Sequence, residues 1–576
     1  MTCTPISGTI LILVKFCTIS IIYILFTLFI NLYAFYGDLS SGLPTNIEYD
    51  YIVVGAGTAG TTILNGLPEN EMVLIIDAGS MPKSFMNIPV ISPIFHGTQF
   101  NWGFKTTGQT ESCLALNDWS SNWSAGKGFG GSNILNNMIA NWGHEEDFRG
   151  WFGNQDEYNF TQDILPYFKE NIDFPTIDEI HNVTKFGEAI LSLKLNEDRV
   201  KFHRPKVYQK NGWRWSMAEE SYKNLKRSKH EILTGALVTK VIFDKYPTIT
   251  AKGIEIYLSN GNRLIVNARK SIILSAGTIG TPKILLQSGI GPCDELTELG
   301  INCQKNLPVG RNLQDHISTG LDLITLDIDL NMGLFDLASP ANLYNFFRYG
   351  EGPLSHCGCE AVGILENGNL MPELGFMVMP VGITADSGAV LQHVINLNET
   401  WWDGYFKHIV EEKRQAVSIL PILLHPKSRG VIRLRSKNPL DSPIIDPNYL
   451  NNRYDIDVLV KGLEILDKII NNSIKLKNLG AQIYDRPFPG CEKFQFKSKL
   501  YWECYVRHLT LTVYHPVGTC AIGEVIEFNF QVKGVNNLFV VDGSTLKNLP
   551  SGNPNAIISM LARRFISRHM ANALKK

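Results

Sequence analysis

The residues best suited to chemistry lie near the C-terminus of the 576-residue chain. His515 stands in the run YHPVGTC (514–520), and Asn555 ends the short run Asn553-Pro554-Asn555. An imidazole titrates near neutral pH and can take a proton from an alcohol. A side-chain amide can donate a hydrogen bond to the oxygen that the proton leaves behind. The pair predicts activation of an alcohol, provided that the fold brings the two side chains together.

A second cluster, at the other end of the chain, predicts a dinucleotide site. Residues 49–54 read as a buried strand, the run GAGTAG (55–60) follows at once, residues 61–67 continue as a short helix, and a strand over 72–76 ends at Asp77. In such a βαβ unit the glycines allow a tight turn and a close approach to a pyrophosphate, and the helix N-terminus faces the negative charge. Asp77 can accept hydrogen bonds from ribose hydroxyls, which favours FAD or NAD over NADP. The alternative is a glycine-rich turn in an unrelated α/β domain.

Five further segments are typical of one enzyme family. The run GKGFGGSNILN (126–136) resembles the flavin-contacting loop of the glucose–methanol–choline (GMC) oxidoreductases, and GTIGTPKILLQSGIG (277–291) resembles that family's second signature. Three shorter stretches, VGRNLQDH (309–316), PKSRG (426–430) and IDPNY (445–449), are similar to other recurrent stretches of the family. Together with the C-terminal runs, the resemblance extends from residue 47 to the end of the chain in the family's order. The form GNPNA (552–556) most resembles the arthropod branch, in which glucose dehydrogenases, ecdysone oxidases and aromatic-alcohol oxidases occur.

The resemblance implies a fold and a cofactor. We expect an α/β protein in which a Rossmann-like FAD-binding domain, residues 47–150, 226–324 and 506–576, adjoins an α+β substrate-binding domain, residues 151–225 and 325–505, built on an antiparallel sheet. The residues implied to contact FAD are Gly55, Gly57, Thr58, Ala59, Gly60, Asp77, Ala78, Lys127, Gly131, Asn133, Asn136, Asn137, Val238, Asp542, Gly543, Asn553 and Pro554. Because no histidine lies in the loop 129–137, FAD is expected to bind non-covalently. The sequence departs from the family's pattern at Phe129, at Asn133, at Ala521-Ile522 and at Asp77, which replaces the commoner Glu.

Within this resemblance the C-terminal pair acquires defined roles. His515 is interpreted as the base that takes the hydroxyl proton of an alcohol while the alcohol carbon passes hydride to FAD, and Asn555 as the hydrogen-bond donor to the alkoxide oxygen. Asn553 reads as an N-cap, and Pro554 as the first residue of a helix whose positive end points at the flavin. The alternatives are structural, namely a turn histidine before Pro516 and a capping or loop role for Asn555.

The predicted reaction is FAD-dependent oxidation of a small-molecule alcohol to an aldehyde, ketone or lactone, with electrons passed to a quinone-like acceptor. An oxidase that passes them to O2 and forms hydrogen peroxide is the second interpretation, and a hydroxynitrile lyase and an inactive scaffold are minor ones. Substrate contacts fall in the variable middle segments, so sugar, steroid, aromatic alcohol and cyanohydrin substrates all stay open.

The first 36 residues predict entry into the secretory pathway. Residues 10–30 are apolar apart from Lys15 and a few hydroxyl residues, and this length suits a helix that crosses a bilayer. A cleaved signal peptide and an uncleaved signal anchor both agree with this pattern. We therefore expect a secreted protein, or one attached to the membrane through this segment alone. Glycosylation sequons begin at Asn122, Asn159, Asn182, Asn398 and Asn471.

Charge and cysteine content argue against two kinds of partner. The net charge of −2, with no basic block, argues against nucleic-acid binding. None of the 10 cysteines forms a C-x-x-C pair, which argues against a zinc site. In an oxidising compartment Cys293 and Cys303 are close enough along the chain to form a loop disulfide. His316, Cys520 and the aromatic cluster of residues 401–406 are assigned structural roles, and His425 none.

Overall fold

The computed structural model describes residues 44, 46–152, 159–169, 177–180, 183–193, 199–225, 228–258, 260–366, 368 and 371–573. The N-terminal apolar segment and the sequon at Asn182 therefore lie outside the described residues. Across the described part of the chain, no helix is both long enough and apolar enough to traverse a bilayer.

The strands are named in chain order over the described residues. They are β1 (Glu48–Val54), β2 (Val73–Ile76), β3 (Phe104–Lys105), β4 (Asn122–Trp123), β5 (Ile177–Glu179), β6 (Val200–His203), β7 (Lys206–Lys210), β8 (Trp213–Arg214), β9 (His230–Leu233), β10 (Ala236–Asp244), β11 (Thr250–Leu258), β12 (Arg263–Leu274), β13 (Ile290–Gly291), β14 (Lys305–Asn306), β15 (Ile317–Ser318), β16 (Ile324–Leu326), β17 (Ala361–Leu365), β18 (Leu374–Met379), β19 (Gln415–Leu423), β20 (Val431–Arg433), β21 (Ile444–Asp446), β22 (Gln482–Ile483), β23 (Leu511–Thr512) and β24 (Leu538–Val540).

The helices are named in the same way. They are α1 (Thr58–Gly66), α2 (Phe160–Asp163), α3 (Leu165–Lys169), α4 (Lys185–Leu191), α5 (Met217–Leu225), α6 (Gly277–Gln287), α7 (Cys293–Glu298), α8 (Leu334–Leu337), α9 (Pro340–Tyr349), α10 (Leu391–Val394), α11 (Glu399–Trp401), α12 (Lys407–Glu411), α13 (Arg453–Asn472), α14 (Ile474–Asn478), α15 (Lys499–His508) and α16 (Pro554–Ala573). A π-helical turn, Trp402–Phe406, joins α11 to α12. Short 3₁₀ turns span Ser84–Asn87, Pro89–Gly97, Asn117–Trp119, Gly131–Ile134, Glu145–Phe148, Pro353–Ser355 and Gly543–Thr545.

The first sheet carries the predicted βαβ unit. Its order is β10-β11-β12-β1-β2-β9, and β24 pairs with the end of β12. β9, β2, β1, β12 and β24 run parallel, whereas β10 and β11 form an antiparallel extension of β12. β2, β24 and the C-terminal ends of β1 and β12 are buried apolar runs, as expected for strand segments covered on both faces. The unit β1-α1-β2 is confirmed, but α1 begins at Thr58, inside the glycine motif and earlier than predicted.

The second sheet is wholly antiparallel. Its main order is β22-β16-β19-β18-β17-β6, and β15 joins β19 to β23. A large buried apolar cluster accompanies each sheet. The aromatic side chains of Trp402, Tyr405 and Phe406 belong to the second cluster, which confirms their assignment to the core. The fold is therefore the expected combination of an α/β nucleotide-binding sheet with an antiparallel sheet.

Three elements cross the division expected from the sequence. β15 and β23 pair in the second sheet, although they lie in stretches assigned to the FAD-binding domain. Conversely, α5 packs on α1, where the Ser221 hydroxyl donates to the Thr61 carbonyl (2.9 Å). β15 follows Asp315-His316 and β23 precedes His515, so both short strands carry the chain through the junction of the two sheets. The C-terminal candidate base therefore lies at that junction.

Among the described residues, two disulfides are formed. The Cys293–Cys303 bond agrees with the predicted loop disulfide. The Cys491–Cys504 bond links the middle of α15 to the preceding loop and was not predicted. Cys520 is fully buried and free, as its assignment to the core requires.

Candidate active site

Asp315 holds the turn that carries His515. Its carboxylate accepts hydrogen bonds from the His515 backbone N–H (2.8 Å), the Thr512 hydroxyl (2.6 Å) and the Tyr449 hydroxyl. Tyr514, which precedes His515, adopts a left-handed φ of 62°, a conformation that bulky residues keep only where their surroundings enforce it. Burial raises the pKa of Asp315 to about 6, against the hydrogen bonds from Thr512 and Tyr449 that lower it. The contacts of Asp315 thus fix the backbone from which the imidazole projects.

The two neighbouring imidazoles determine where the proton of His515 resides. His316 Nε2 lies 3.1 Å from the Leu424 carbonyl oxygen, and His316 Nδ1 lies 2.9 Å from His515 Nδ1. Because a carbonyl oxygen only accepts, His316 carries its proton on Nε2, and its Nδ1 accepts the N–H of His515 Nδ1. Burial lowers the pKa of His316 well below its usual value and that of His515 to about 4, so both rings are neutral at pH 7. The lone pair of His515 is therefore on Nε2.

Asn553, rather than Asn555, lies against this lone pair. The Asn553 side-chain amide donates to His515 Nε2 over 3.1 Å, whereas the Asn555 side-chain oxygen accepts from the Thr58 hydroxyl over 2.5 Å. The structure therefore brings His515 together with Asn553 and not with Asn555. The reason is the start of α16 at Pro554: Asn553 lies in the extended segment beside the histidine turn, while Asn555 lies inside the helix and faces another direction, since each helical residue rotates by about 100°.

A buried acid and a histidine position the segment in front of α16. Asp147 accepts from the Ser551 backbone N–H and hydroxyl, both at 2.8 Å. His425 Nε2 lies 3.0 Å from the same hydroxyl. Gly552 packs on the backbone of Gly143 so closely that a Cβ on Gly552 would lie 2.3 Å from the Gly143 nitrogen. These contacts set the position from which Asn553 reaches the imidazole.

The glycine motif forms a tight cradle at the C-terminal ends of the parallel strands. Gly55 has a φ of +99°, and a Cβ on Gly60 would lie 1.9 Å from the Gly55 carbonyl oxygen. Gly131 packs closely against Gly57, since a Cβ on Gly131 would lie only 2.7 Å from the Gly57 Cα. Gly57 precedes α1 and has no side chain that could cap it, so the first N–H groups of α1 are available to an anion. The glycine motif and the loop 126–137 therefore meet at one site.

Asp77 links three of the predicted cofactor segments. Its carboxylate accepts the backbone N–H groups of Ala56 and Gly79, each at 2.9 Å. Its carbonyl accepts the N–H of Ala236 (3.0 Å), which places β10, with the buried Val238, beside the end of β2. Burial raises the pKa of Asp77, against the backbone hydrogen bonds that lower it. The acid thus lies where the predicted nucleotide segments converge.

The loop residues Asn133 and Asn136 are fixed from behind by a buried arginine. Arg214 Nη1 donates to the Asn133 carbonyl and to the Asn136 side-chain oxygen, each over 2.8 Å. The Asn133 amide donates to the Thr58 hydroxyl (2.9 Å), so the unusual side chain at this position is tied to the start of α1. The ammonium group of Lys127 lies over the Trp102 ring, 5.0 Å from its centre.

The carboxylate of Asp542 is hydrogen-bonded within the protein. It accepts from the Gly277 N–H (2.9 Å), the Thr281 hydroxyl (2.5 Å), and the N–H and hydroxyl of Ser544 (2.8 and 2.5 Å). Burial raises the pKa of Asp542, against these donors. The carboxylate thereby joins the start of α6 to the turn that begins at Gly543. Because these hydrogen bonds engage its carboxylate, Asp542 would contact a cofactor through its backbone.

The remaining predicted contacts are distributed over several elements. Ala59 is buried within α1, Ala78 directly follows Asp77, Asn137 lies against Gly358, and Pro554 is the first residue of α16. The sequence interpretation missed Asp315, His316, Asp147 and His425 as positioning residues. For the first two a signal was present, because adjacent titratable residues end the run VGRNLQDH. For Asp147 and His425 the sequence offered none.

A small cavity of about 50 Å³ opens beside His515 and Asn553. Its other walls come from the second sheet and from the segments 139–141 and 551–552. His515 and Asn553 therefore face a space bounded by the second sheet and by these loop segments.

The chain resembles known proteins over most of its length. The family models described as GMC oxidoreductase match residues 49–318 and 426–562. The chain is 28% identical to glucose dehydrogenase [FAD, quinone] of Drosophila melanogaster over 90% of this chain and 86% of that protein. It is 30% identical to alcohol dehydrogenase [acceptor] of Pseudomonas putida over 89% of this chain and 94% of that protein.

The fold has counterparts among solved structures. A formate oxidase from Aspergillus oryzae RIB40, studied for modification of its FAD, superimposes with a TM-score of 0.77 at 21% identity, over 92% of this chain and 99% of that one. The family models match most of the chain, and the relatives match nearly all of it. The glycine cradle agrees with both findings. The protein belongs to the GMC oxidoreductase family, the FAD-dependent enzymes that act on CH–OH donors.

Proposed function

We propose that this protein oxidises an alcohol to a carbonyl compound, with His515 as the proton acceptor and Asn553 as the donor that holds the substrate oxygen. The observation that carries the proposal is the convergence of two groups on one point. The lone pair of His515 Nε2 and the amide of Asn553 lie 3.1 Å apart beside the cavity. A hydroxyl that enters between the two groups replaces this direct hydrogen bond, because it can donate its proton to Nε2 and accept a hydrogen bond from the amide.

The protein's own residues account for the protonic half of the reaction. The substrate O–H bond breaks as its proton passes to His515 Nε2, and the electron pair left on oxygen forms the carbonyl bond. FAD, when bound, supplies the acceptor for the hydride that leaves the carbinol carbon. As the proton arrives, the N–H of His515 Nδ1 becomes part of an imidazolium, and its hydrogen bond to His316 strengthens because the donor is now charged. The side-chain amide of Asn553 stabilises the negative charge that develops on the substrate oxygen.

The residues present fit FAD. The uncapped start of α1 and the glycine cradle would hold the pyrophosphate, and a side chain at Gly57 or Gly131 would fill that space. The carboxylate of Asp77 has lone pairs beyond its two backbone hydrogen bonds, and these suit the ribose hydroxyls. The start of α16 would lie beside the flavin and add a positive end, with Asn555 and Thr58 fixing its approach to α1.

We propose a quinone-like electron acceptor. The support is the name of the Drosophila relative, glucose dehydrogenase [FAD, quinone], and that of the bacterial alcohol dehydrogenase [acceptor]. Reoxidation by O2 is the second candidate, because ecdysone oxidase of Spodoptera littoralis is 28% identical over 89% of this chain. Purified protein with an alcohol and a quinone analogue should reduce the analogue faster than it forms hydrogen peroxide in air. A peroxide yield that matches substrate consumption at equal acceptor concentrations would favour the oxidase.

We also propose that the catalytic part of the chain matures in the secretory pathway. Two disulfides and exposed sequons at Asn159 and Asn471 support this. The amides of Asn122 and Asn398 donate to the His393 carbonyl (3.0 Å) and the Asn117 side chain (2.9 Å), and the amide of the exposed Asn471 donates to the Asp467 carboxylate (3.1 Å). Glycosidase treatment of the protein from a secreting host should lower its mass through the two exposed sites. An unchanged mass together with retention in the cytosol would contradict the proposal.

A further inference from the structure

The cavity beside His515 and Asn553 is floored by aligned positions of the second sheet. His203 on β6, Val362 on β17 and Met377 on β18 lie in register across three strands. In the adjacent row, Ile364 on β17, Gly375 on β18 and Ile422 on β19 lie in register as well. All six line the cavity. Since side chains two apart on a strand share a face, both rows present the same face of the sheet.

The walls of this cavity are mostly apolar. Within the described part of the chain, no Asp, Glu, Lys or Arg lines it. Of the polar lining residues, His316 is engaged with His515 and Leu424, and Ser551 with Asp147 and His425. The Asn141 side-chain oxygen accepts from the Gly143 N–H (3.1 Å). Beyond His515 and Asn553, the polar side-chain groups left to a ligand are the Asn141 amide and the ring of His203, whose pKa is lowered by burial.

We propose that the substrate is an alcohol on an apolar carbon skeleton, aromatic or aliphatic, and not a sugar. The inference rests on the proposed function and adds the substrate class. A hexose carries several hydroxyls besides the one oxidised, and the cavity offers too few partners to pair them. Each polar group that is buried unpaired lowers affinity by roughly five-fold to more than 100-fold. An apolar skeleton gains from the same walls by leaving water.

Gly375 sets the depth of the cavity in this proposal. It lies between Ile364 and Ile422 in the row described above, and the three atoms nearest to a Cβ at this position would all belong to the Leu424 side chain, the first at 3.2 Å. Leu424 is itself a cavity wall. A branched side chain at position 375 would therefore project into the space that the skeleton of the substrate occupies.

The test compares specificity constants on the purified flavoprotein with a dye acceptor. We expect kcat/KM for benzyl alcohol or 1-octanol to exceed that for D-glucose by at least about 100-fold. Gly375→Val should lower kcat/KM for 1-octanol and benzyl alcohol by at least about tenfold, since overpacking of this kind is costly, while 1-propanol serves as the internal control and changes little. FAD content and melting temperature show whether the variant folds.

The outcomes separate the substrate class from the proposed function. A preference for D-glucose over the apolar alcohols would overturn the inference and leave the proposed function standing. Failure of every alcohol, polar or apolar, to reduce the bound FAD would overturn the proposed function and the inference with it. An equal loss for 1-propanol and 1-octanol in folded Gly375→Val would overturn the assignment of this cavity to the substrate skeleton.

Discussion

The hydrogen bond between His316 and His515 leads to a quantitative prediction. In the wild type, His316 Nδ1 accepts the N–H of His515 and leaves the lone pair of His515 on Nε2, toward the substrate. His316→Phe keeps a flat ring but removes this acceptor and also the donor to the Leu424 carbonyl. The N–H of His515 is then buried without a partner, and the competing tautomer, with its proton toward the substrate, becomes more populated.

The size of the effect follows from the cost of one buried unpaired donor, about 1–3 kcal/mol. At about 1.4 kcal/mol per tenfold in rate, the rate constant for flavin reduction should fall by roughly 5- to 150-fold. His316→Gln should recover most of the loss, because its side-chain oxygen can accept from His515 while its amide donates to Leu424. A purely structural role would not produce this rescue.

The assay is anaerobic stopped-flow reduction of the bound FAD at saturating benzyl alcohol and pH 7, with flavin absorbance as the signal. His230→Phe is the matched control, because His230 is a half-buried histidine on β9 that bonds the Pro68 carbonyl and does not contact the site. The reasoning is refuted if His316→Phe binds FAD, melts like the wild type and reduces the flavin at more than half the wild-type rate.

Three further predictions follow from the same geometry. Burial disfavours the imidazolium and lowers the pKa of His515 to about 4. Because the neutral ring is the active form, the rate of flavin reduction should stay level from pH 8 to about 6 and fall only toward pH 4. A midpoint near pH 6.5 would contradict the burial of His515. Asn553→Ala should lower kcat by about 10²–10³-fold, the value of one positioned donor to an oxyanion. Asn555→Ala should weaken FAD retention and leave kcat of the loaded enzyme within about tenfold. A larger loss of kcat in Asn555→Ala than in Asn553→Ala would restore the pairing expected from the sequence. Replacing Cys491 and Cys504 by serine should lower the free energy of unfolding by about 2–4 kcal/mol, measured by denaturant titration, and an unchanged midpoint would show that the bond contributes nothing.

The parts of the protein that depend on local sequence pattern were predictable. A strand, a glycine turn, a helix and a second strand ending in an acid specify β1-α1-β2, because each step depends on the preceding few residues. The start of α16 at Pro554 was predictable for the same reason. The antiparallel character of the second sheet came from the family resemblance, since its strands are short and far apart in sequence.

The identity of the side chain that meets His515 was not predictable in this way. Asn553 and Asn555 have the same side chain, and the difference between them is the direction each faces at a helix start. That direction depends on Asp147 and His425, which lie more than a hundred residues away in sequence and hold Ser551 in place. The position of His316 against His515 likewise depends on the pairing of β15 with β23.

The central claim is that His515 Nε2 takes the proton of the substrate hydroxyl. Its most direct test is the anaerobic rate of flavin reduction in His515→Ala, measured with benzyl alcohol on protein that retains FAD. A positioned general base contributes about 10²–10⁴-fold, so we predict that the rate constant falls by at least about 100-fold and that its dependence on pH near 4 disappears. A His515→Ala variant that reduces its flavin within about tenfold of the wild-type rate would contradict the account.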